Sequence, residues 1–261
     1  MGIRMHYDPG AFCWTGLVAT DLDGASDFYS SLFGWNLRDE SGEHGEAYAA
    51  LINGRWITAL TSRTETLSVG ISAQWNLYVC VEDAAATSAR VVELGGSVAV
   101  PPSGIATFAR TASIIDPQGV TLRLFQPGEL RGAELLNAAG ALSWYELLSS
   151  DRETAATFYQ SLFGWTTEPV EGGPIPHEVI MNGPDKYNGQ FSPLLPSLNS
   201  SQWIPYFGTE NIEASYARVV ELGGSSLLSP LEITEGQVIA VVRDPQGAVF
   251  GLCQYEFEAF E

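Results

Sequence analysis

The chain repeats itself once, and nothing else in it restricts the fold so strongly. Phe28-Tyr29-Ser30-Ser31-Leu32-Phe33-Gly34-Trp35 returns as Phe158-Tyr159-Gln160-Ser161-Leu162-Phe163-Gly164-Trp165, seven of eight positions identical at an offset of 130 (158 minus 28). Arg90-Val91-Val92-Glu93-Leu94-Gly95-Gly96-Ser97 returns unchanged at 218–225, and Asp116-Pro117-Gln118-Gly119 returns at 244–247, both at an offset of 128 (218 minus 90). Three separated blocks in nearly one register mean a duplicated unit. Its period is too long for a solenoid repeat and fits a domain, so the halves run 1–130 and 131–261. The joint falls in Pro127 to Gly140.

Each half carries the same local pattern. Phe12 to Ala19 reads as a strand, and Asp21 to Leu32 places Ala25, Phe28, Tyr29 and Leu32 at helical spacing before Gly34, a residue suited to a left-handed C-terminal cap. Glu46 to Ile52 and Trp56 to Thr61 flank Asn53-Gly54, the pair that favours a type I′ hairpin. The cycle then restarts: a strand over Trp75 to Val81, a helix over Ala84 to Leu94 ended by Gly95-Gly96, and strands over Ile105 to Ile115 and Val120 to Gln126 around the Asp-Pro-Gln-Gly turn. Each half therefore reads as two βαβββ units, and the chain as four.

The Phe-Tyr-x-x-Leu-Phe-Gly-Trp helix ends, the Glu-Leu-Gly-Gly blocks and the Asp-Pro-x-Gly turns, in this order over nearly the whole chain, resemble the vicinal oxygen chelate superfamily of glyoxalases, bleomycin-resistance proteins and extradiol dioxygenases. The resemblance implies an α+β fold. Four βαβββ units would form two tandem domains, each a curled, mostly antiparallel sheet with its helices outside. It also implies a cavity and, where the family uses one, a metal held by His, Gln or Glu early in a first strand and by Glu on a last strand. Counted from the shared motifs, those positions hold Trp14, Trp144, Asn76, Ile204, Arg123 and Gly251. Indole and glycine offer no ligand, and a guanidinium repels a cation by several kcal/mol at about 4 Å. No metal is expected in either half.

The same positions suggest what replaces it. On strand alternation Arg123 shares a face with Thr121 and Phe125, and Trp14 shares one with Phe12 and Gly16. Trp14, Thr121, Arg123, Phe125 and Trp144 would then line an aromatic cavity with one cationic donor, suited to a planar oxygenated ligand. The alternative is that the tryptophans, with the repeated pair Trp75 and Trp203, are packing residues. Arg123 corresponds to Gly251 across the repeat, so the first cavity is the better candidate. Of the three histidines, His6, His44 and His177, none recurs between the halves; His44 lies in a polar loop and reads as solvent-exposed, while His177 precedes the apolar Val179-Ile180-Met181 run and could reach a cavity rim. No nucleophile elbow, GxGxxG or P-loop occurs, so no nucleotide cofactor is expected.

With 12 Lys and Arg against 31 Asp and Glu, the net charge of −19 excludes nucleic acid and anionic membranes as natural partners. Cys13, Cys80 and Cys253 are widely spaced within apolar runs and read as buried thiols, and no stretch has the length and apolarity of a membrane span. The expectation is a cytoplasmic protein, monomer or homodimer, that binds an aromatic or polyketide-like small molecule without a metal or other cofactor. The competing expectation is a lyase, isomerase or oxygenase-like enzyme acting on a similar compound.

Overall fold

The computed structural model describes residues 2–42, 45–62, 73–105, 107–170 and 172–255. The first half contains β1 (Gly2–Ile3), β2 (Phe12–Ala19), α1 (Leu22–Phe33), β3 (Asn36–Asp39), β4 (Ala47–Ile52), β5 (Arg55–Ser62), β6 (Gln74–Cys80), α2 (Ala84–Glu93), β7 (Ser97–Ile105), β8 (Ala109–Ile115) and β9 (Thr121–Pro127). The second contains β10 (Leu135–Leu136), β11 (Leu142–Ser149), α3 (Arg152–Phe163), β12 (Thr166–Val170), β13 (His177–Met181), β14 (Tyr187–Pro193), β15 (Gln202–Gly208), α4 (Ile212–Glu221), β16 (Ser225–Thr234), β17 (Gln237–Arg243) and β18 (Val249–Gln254). The order βαβββ therefore occurs four times, as expected. Residues 105–115 do not form one strand, however: Ile105 ends β7 and β8 starts at Ala109, so the second unit holds a β7–β8 hairpin whose first strand, Ser97–Ile105, the sequence reading did not mark.

Each half builds one curled sheet. In the first, the order is β3-β4-β5-β2-β6-β9-β8-β7; β2 and β6, the opening strands of the two units, pair antiparallel at the centre, while β2–β5 and β6–β9 are parallel. The second sheet has the equivalent order β12-β13-β14-β11-β15-β18-β17-β16, and β1 joins it through β10, pairing Gly2 with Leu136.

The repeated motifs have local causes. Asp21, Asp83, Asp151 and Asn211 cap the four helices by accepting hydrogen bonds from first-turn N–H groups. Asn53 and Gly54 both take positive φ, at 51° and 75°, as a type I′ turn needs. In the Gly-Gly pair, Gly95 takes φ of 87°, whereas Gly96 is required by space. A Cβ on Gly96 would stand 2.7 Å from the Ile115 carbonyl and 2.8 Å from Val91 Cγ1. Gly224 is confined the same way by Val219 and Arg243.

The motifs most visible in the sequence turn out to join the two halves. Tyr29, buried on α1, accepts from Trp75 Nε1 (3.0 Å) and donates to Asp244 Oδ2 of the opposite half (2.9 Å). Tyr159 accepts from Trp203 and donates to Asp116 in the mirror arrangement. The other oxygen of each aspartate accepts from two backbone N–H groups of its own turn. Trp35 and Trp165 donate across the boundary to the carbonyls of Gly140 and Gly10. Trp75 and Trp203 are thus interdomain packing residues, one of the two expectations for them.

Burial pushes the Asp116 and Asp244 carboxyls above the ordinary range, against their hydrogen bonds. A carboxyl whose folded pKa is raised contributes stability below its unfolded value that is lost as pH rises through the folded value. The stability of the wild type relative to Asp244→Asn should therefore decline as pH rises from about 4, read by urea denaturation at a series of pH values. A difference that grows with pH would contradict the burial argument.

Candidate functional site

In both sheets one face meets the helices and the other half, and the opposite face is free of helices. The second sheet fills its helix-free face. Leu148, Ile204, Tyr206, Ile239, Val241 and Val249 form a buried cluster there with Leu198, and no helical residue takes part. At the equivalent positions the first sheet carries Val18, Asn76, Tyr78, Thr111, Ser113 and Thr121. A face that is core in one half is thus largely polar in the other, although the backbone plan is shared.

The cross-strand register assembles the candidate site on that polar face. Trp14 lies opposite Tyr78 and Tyr78 opposite Arg123, with Ser113 next in the row. A β-bulge between Phe12 and Trp14 puts these two residues on opposite faces, which corrects the expectation that they share one. Phe12 instead stacks on Tyr145 across the domain boundary, with ring centroids 4.4 Å apart. Trp14 is 6% exposed and packs against Trp56 at 6.4 Å; Phe125, more fully buried, meets Tyr78 edge-on at 6.2 Å. Trp56 was not singled out from sequence.

Arg123 is half-buried, its guanidinium carbon 5.8 Å from the Tyr78 ring centre. Its Nε is buried without a hydrogen-bond partner, and among the described residues the side chain has no ion pair. Leaving a buried donor unsatisfied costs about 1–3 kcal/mol, so an apolar residue would serve the fold better here. Tyr78 also lacks a hydrogen-bond partner among the described residues. Burial pushes its phenol up, the neighbouring Arg123 charge partly opposing the rise, so it stays protonated and able to donate at neutral pH. Two donors therefore meet on one helix-free face with no hydrogen-bond acceptor among the described residues.

The equivalent row in the second half is Trp144, Tyr206, Gly251 and Val241. Here the donors are used. Tyr206 lies over Gly251 and donates to Glu146 (2.5 Å), a carboxylate that is 3% exposed; Gln190 donates to the other Glu146 oxygen (2.7 Å) and accepts from Trp144 (2.9 Å). Glu146 stands at the position of Gly16, which offers Tyr78 no side chain. Sequence reasoning missed Glu146, Gln190, Tyr78 and Tyr206. A lone acid inside Leu142-Ser143-Trp144-Tyr145-Glu146-Leu147-Leu148 was the available signal.

Of the residues expected to form a site, Trp14, Thr121, Arg123 and Phe125 come together on the first sheet. Trp144 and His177 belong to the second. His177 is half-buried on the penultimate edge strand β13, its Nδ1 2.9 Å from the Ile175 carbonyl, on a different sheet from Arg123. His44 lies outside the described residues. The three cysteines are free and buried. No described helix is long and apolar enough to cross a membrane.

Neither row fits a divalent metal. The first offers an indole, a phenol and a guanidinium. The second offers one carboxylate, and both its oxygens already accept hydrogen bonds; among the described residues no three His, Cys, Asp or Glu side chains converge.

Comparison with known proteins fits this geometry. The profile described as Glyoxalase/Bleomycin resistance protein/Dioxygenase superfamily matches residues 11–124, and a glyoxalase-like domain profile matches residues 146–253. The protein named "Putative glyoxylase CFP32" of Mycobacterium tuberculosis is 32% identical over 95% of this chain and 96% of its own length. The anthracycline biosynthesis protein DnrV of Streptomyces peucetius is 26% identical over 95% of this chain and 94% of its own. Among solved structures, the Mn(II)-bound glyoxalase from Novosphingobium aromaticivorans superposes with a TM-score of 0.64 at 15% identity, covering 97% of this chain and 86% of that one. The 2,2',3-trihydroxybiphenyl 1,2-dioxygenase from Sphingomonas wittichii strain RW1 gives 0.65 at 14%, covering 96% and 93%. At these identities the structural matches speak for the fold alone.

Proposed function

Because this chain belongs to the glyoxalase/bleomycin resistance/dioxygenase superfamily, we propose that it binds a planar, oxygenated small molecule of aromatic or polyketide type on the helix-free face of its first half, without a metal. The observation that carries the reading is the pair of unengaged donors, Arg123 and Tyr78, in the row where relatives of this fold would place metal ligands. A guanidinium there supplies a fixed positive charge to a ligand oxygen, as a charge-assisted hydrogen bond. The Tyr78 hydroxyl can donate to the same or a neighbouring oxygen, and Trp14, Trp56 and Phe125 give the wall an aromatic character. Two curated relatives named for anthracycline biosynthesis support the ligand class, since anthracyclines are hydroxylated polycyclic quinones. A cytoplasmic setting, supported by the free, buried thiols, and a monomeric or homodimeric state are part of the proposal.

A structure of the protein with 1,2-dihydroxyanthraquinone tests the reading. The expected result places ring oxygens within hydrogen-bond distance of both Arg123 and Tyr78. Ring density elsewhere, or an ion between ring and protein, would count against it. A second reading, a lyase, isomerase or oxygenase-like enzyme, rests on the same two donors, which would stabilise an enolate or phenolate formed from the ligand. Turnover that disappears in Arg123→Leu would favour it.

A further inference from the structure

A groove of about 500 Å³ lies where the two halves meet. Gln74, Asn76 and Thr121 line it from the first half, and Asn199, Gln202 and Arg243 from the second. We infer that this groove is a second part of the ligand site and takes a hydroxylated, sugar-like arm of the molecule whose ring lies at Arg123. The inference rests on the ring-binding reading above.

Continuity is the first argument. Asn76 and Thr121 each precede Tyr78 and Arg123 by two residues on the same strand, so they share the site's face and stand about 6–7 Å along it. A single molecule can span that distance. On the other side the repeat breaks, because Ile204 and Val249 occupy the places of Asn76 and Thr121 and belong to the second half's buried cluster. The groove therefore meets polar side chains on the first sheet's face and the apolar Val249 on the second.

The lining chemistry is the second argument. Primary amides and hydroxyls both donate and accept, which suits a row of neighbouring hydroxyl groups better than it suits a carboxylate or an apolar chain. Gln74 donates to Asn76 (3.1 Å) and Asn76, 4% exposed, donates to the Gly16 carbonyl (3.5 Å), so Thr121, Asn199 and Gln202 carry this chemistry. Trp75 and Trp203 also border the groove, but their Nε1 groups are committed to Tyr29 and Tyr159, so they offer surface only. Arg243 is the one cationic side chain in the lining. Among the described residues its side chain has no ion pair or hydrogen bond, in a chain with 31 acidic residues. At position 115, its counterpart in the first half, stands isoleucine, so this guanidinium is no part of the repeated fold design. A neutral polyhydroxyl arm also meets no barrier from the net charge of −19.

The test compares 1,2-dihydroxyanthraquinone with its 2-O-glucoside, which leaves the 1-hydroxyl and 9-carbonyl unchanged, by titration of the intact chain. The glucoside should bind about 10-fold more tightly or better, corresponding to about 1.4 kcal/mol. Arg243→Ala and Gln202→Ala should each remove most of that gain while leaving affinity for the unsubstituted ring as it was, which also reports that the variants are folded. If the ring binds and its glucoside binds no better, or if the variants weaken both probes alike, the groove is not a subsite and the ring-binding reading stands. If neither probe binds, both readings fall.

Discussion

Gly251→Ala should lose about 3–5 kcal/mol of folding stability, measured by urea denaturation. The added Cβ would be built into the Tyr206 ring, which rests directly on Gly251. Forcing extra volume into a packed core typically costs about 1–3 kcal/mol by itself. Moving Tyr206 aside also removes its hydrogen bond to Glu146, and a buried carboxylate left short of a donor costs about 1–3 kcal/mol more. The loss is a large part of a typical domain stability of about 5–15 kcal/mol. Replacement by glutamate, the residue the superfamily uses near this point, should be worse still, because it drives a larger, charged side chain into the space the Tyr206 ring fills and sets it close to the Glu146 network. A loss below about 1 kcal/mol for the alanine variant would mean that Tyr206 is free to move, and with it the idea of a closed second half.

Arg123→Leu should have the opposite signature. Affinity for 1,2-dihydroxyanthraquinone should fall about 10- to 100-fold, the equivalent of one charge-assisted hydrogen bond at about 1.5–3 kcal/mol. Stability should stay the same or rise, because the substitution removes a buried Nε that has no partner and fills the space with hydrocarbon. A structural arginine would behave otherwise, losing stability with no specific effect on binding. Titration by tryptophan fluorescence, alongside urea melts of the same preparations, separates the two outcomes.

These two positions mark where the halves differ structurally: Gly251 lies under a packed tyrosine, and Arg123 stands on a polar face. The two sheets share one plan, and the residues at a few strand positions fill one helix-free face and leave the other polar. Glu146 for Gly16 engages a tyrosine; Ile204 for Asn76 and Val249 for Thr121 turn a wettable wall into core. Covalent tandem linkage keeps the filled half beside the open one at high effective concentration, so the second sheet can serve as scaffold and as one wall of the groove.

Much of the fold was legible because its signals are local or repeated. Helix caps, the Asn-Gly hairpin and the Gly-Gly helix ends follow from backbone conformations that few residues tolerate. The bulge at Trp14 was not legible, since a one-residue insertion leaves no mark in composition yet moves Phe12 to the other face. Nor was the crossed Tyr–Asp pairing, which joins residues more than 200 positions apart for Tyr29 and Asp244. For the proposed site, counting along strands singled out Arg123 and Trp14, because alternation has a fixed period of two. It missed Tyr78 and Glu146, whose meaning lies in what stands opposite them across the sheet. His177 reads as a rim residue from its neighbours in sequence, and it stands half-buried on β13 of the second sheet.

The most direct measurement is the binding isotherm of 1,2-dihydroxyanthraquinone to protein stripped with a chelator, recorded again after dialysis against manganese or zinc. If an arginine stands in for the cation, the stripped protein binds at full affinity and added metal changes nothing. Saturable binding that appears only once a metal is restored would contradict that account.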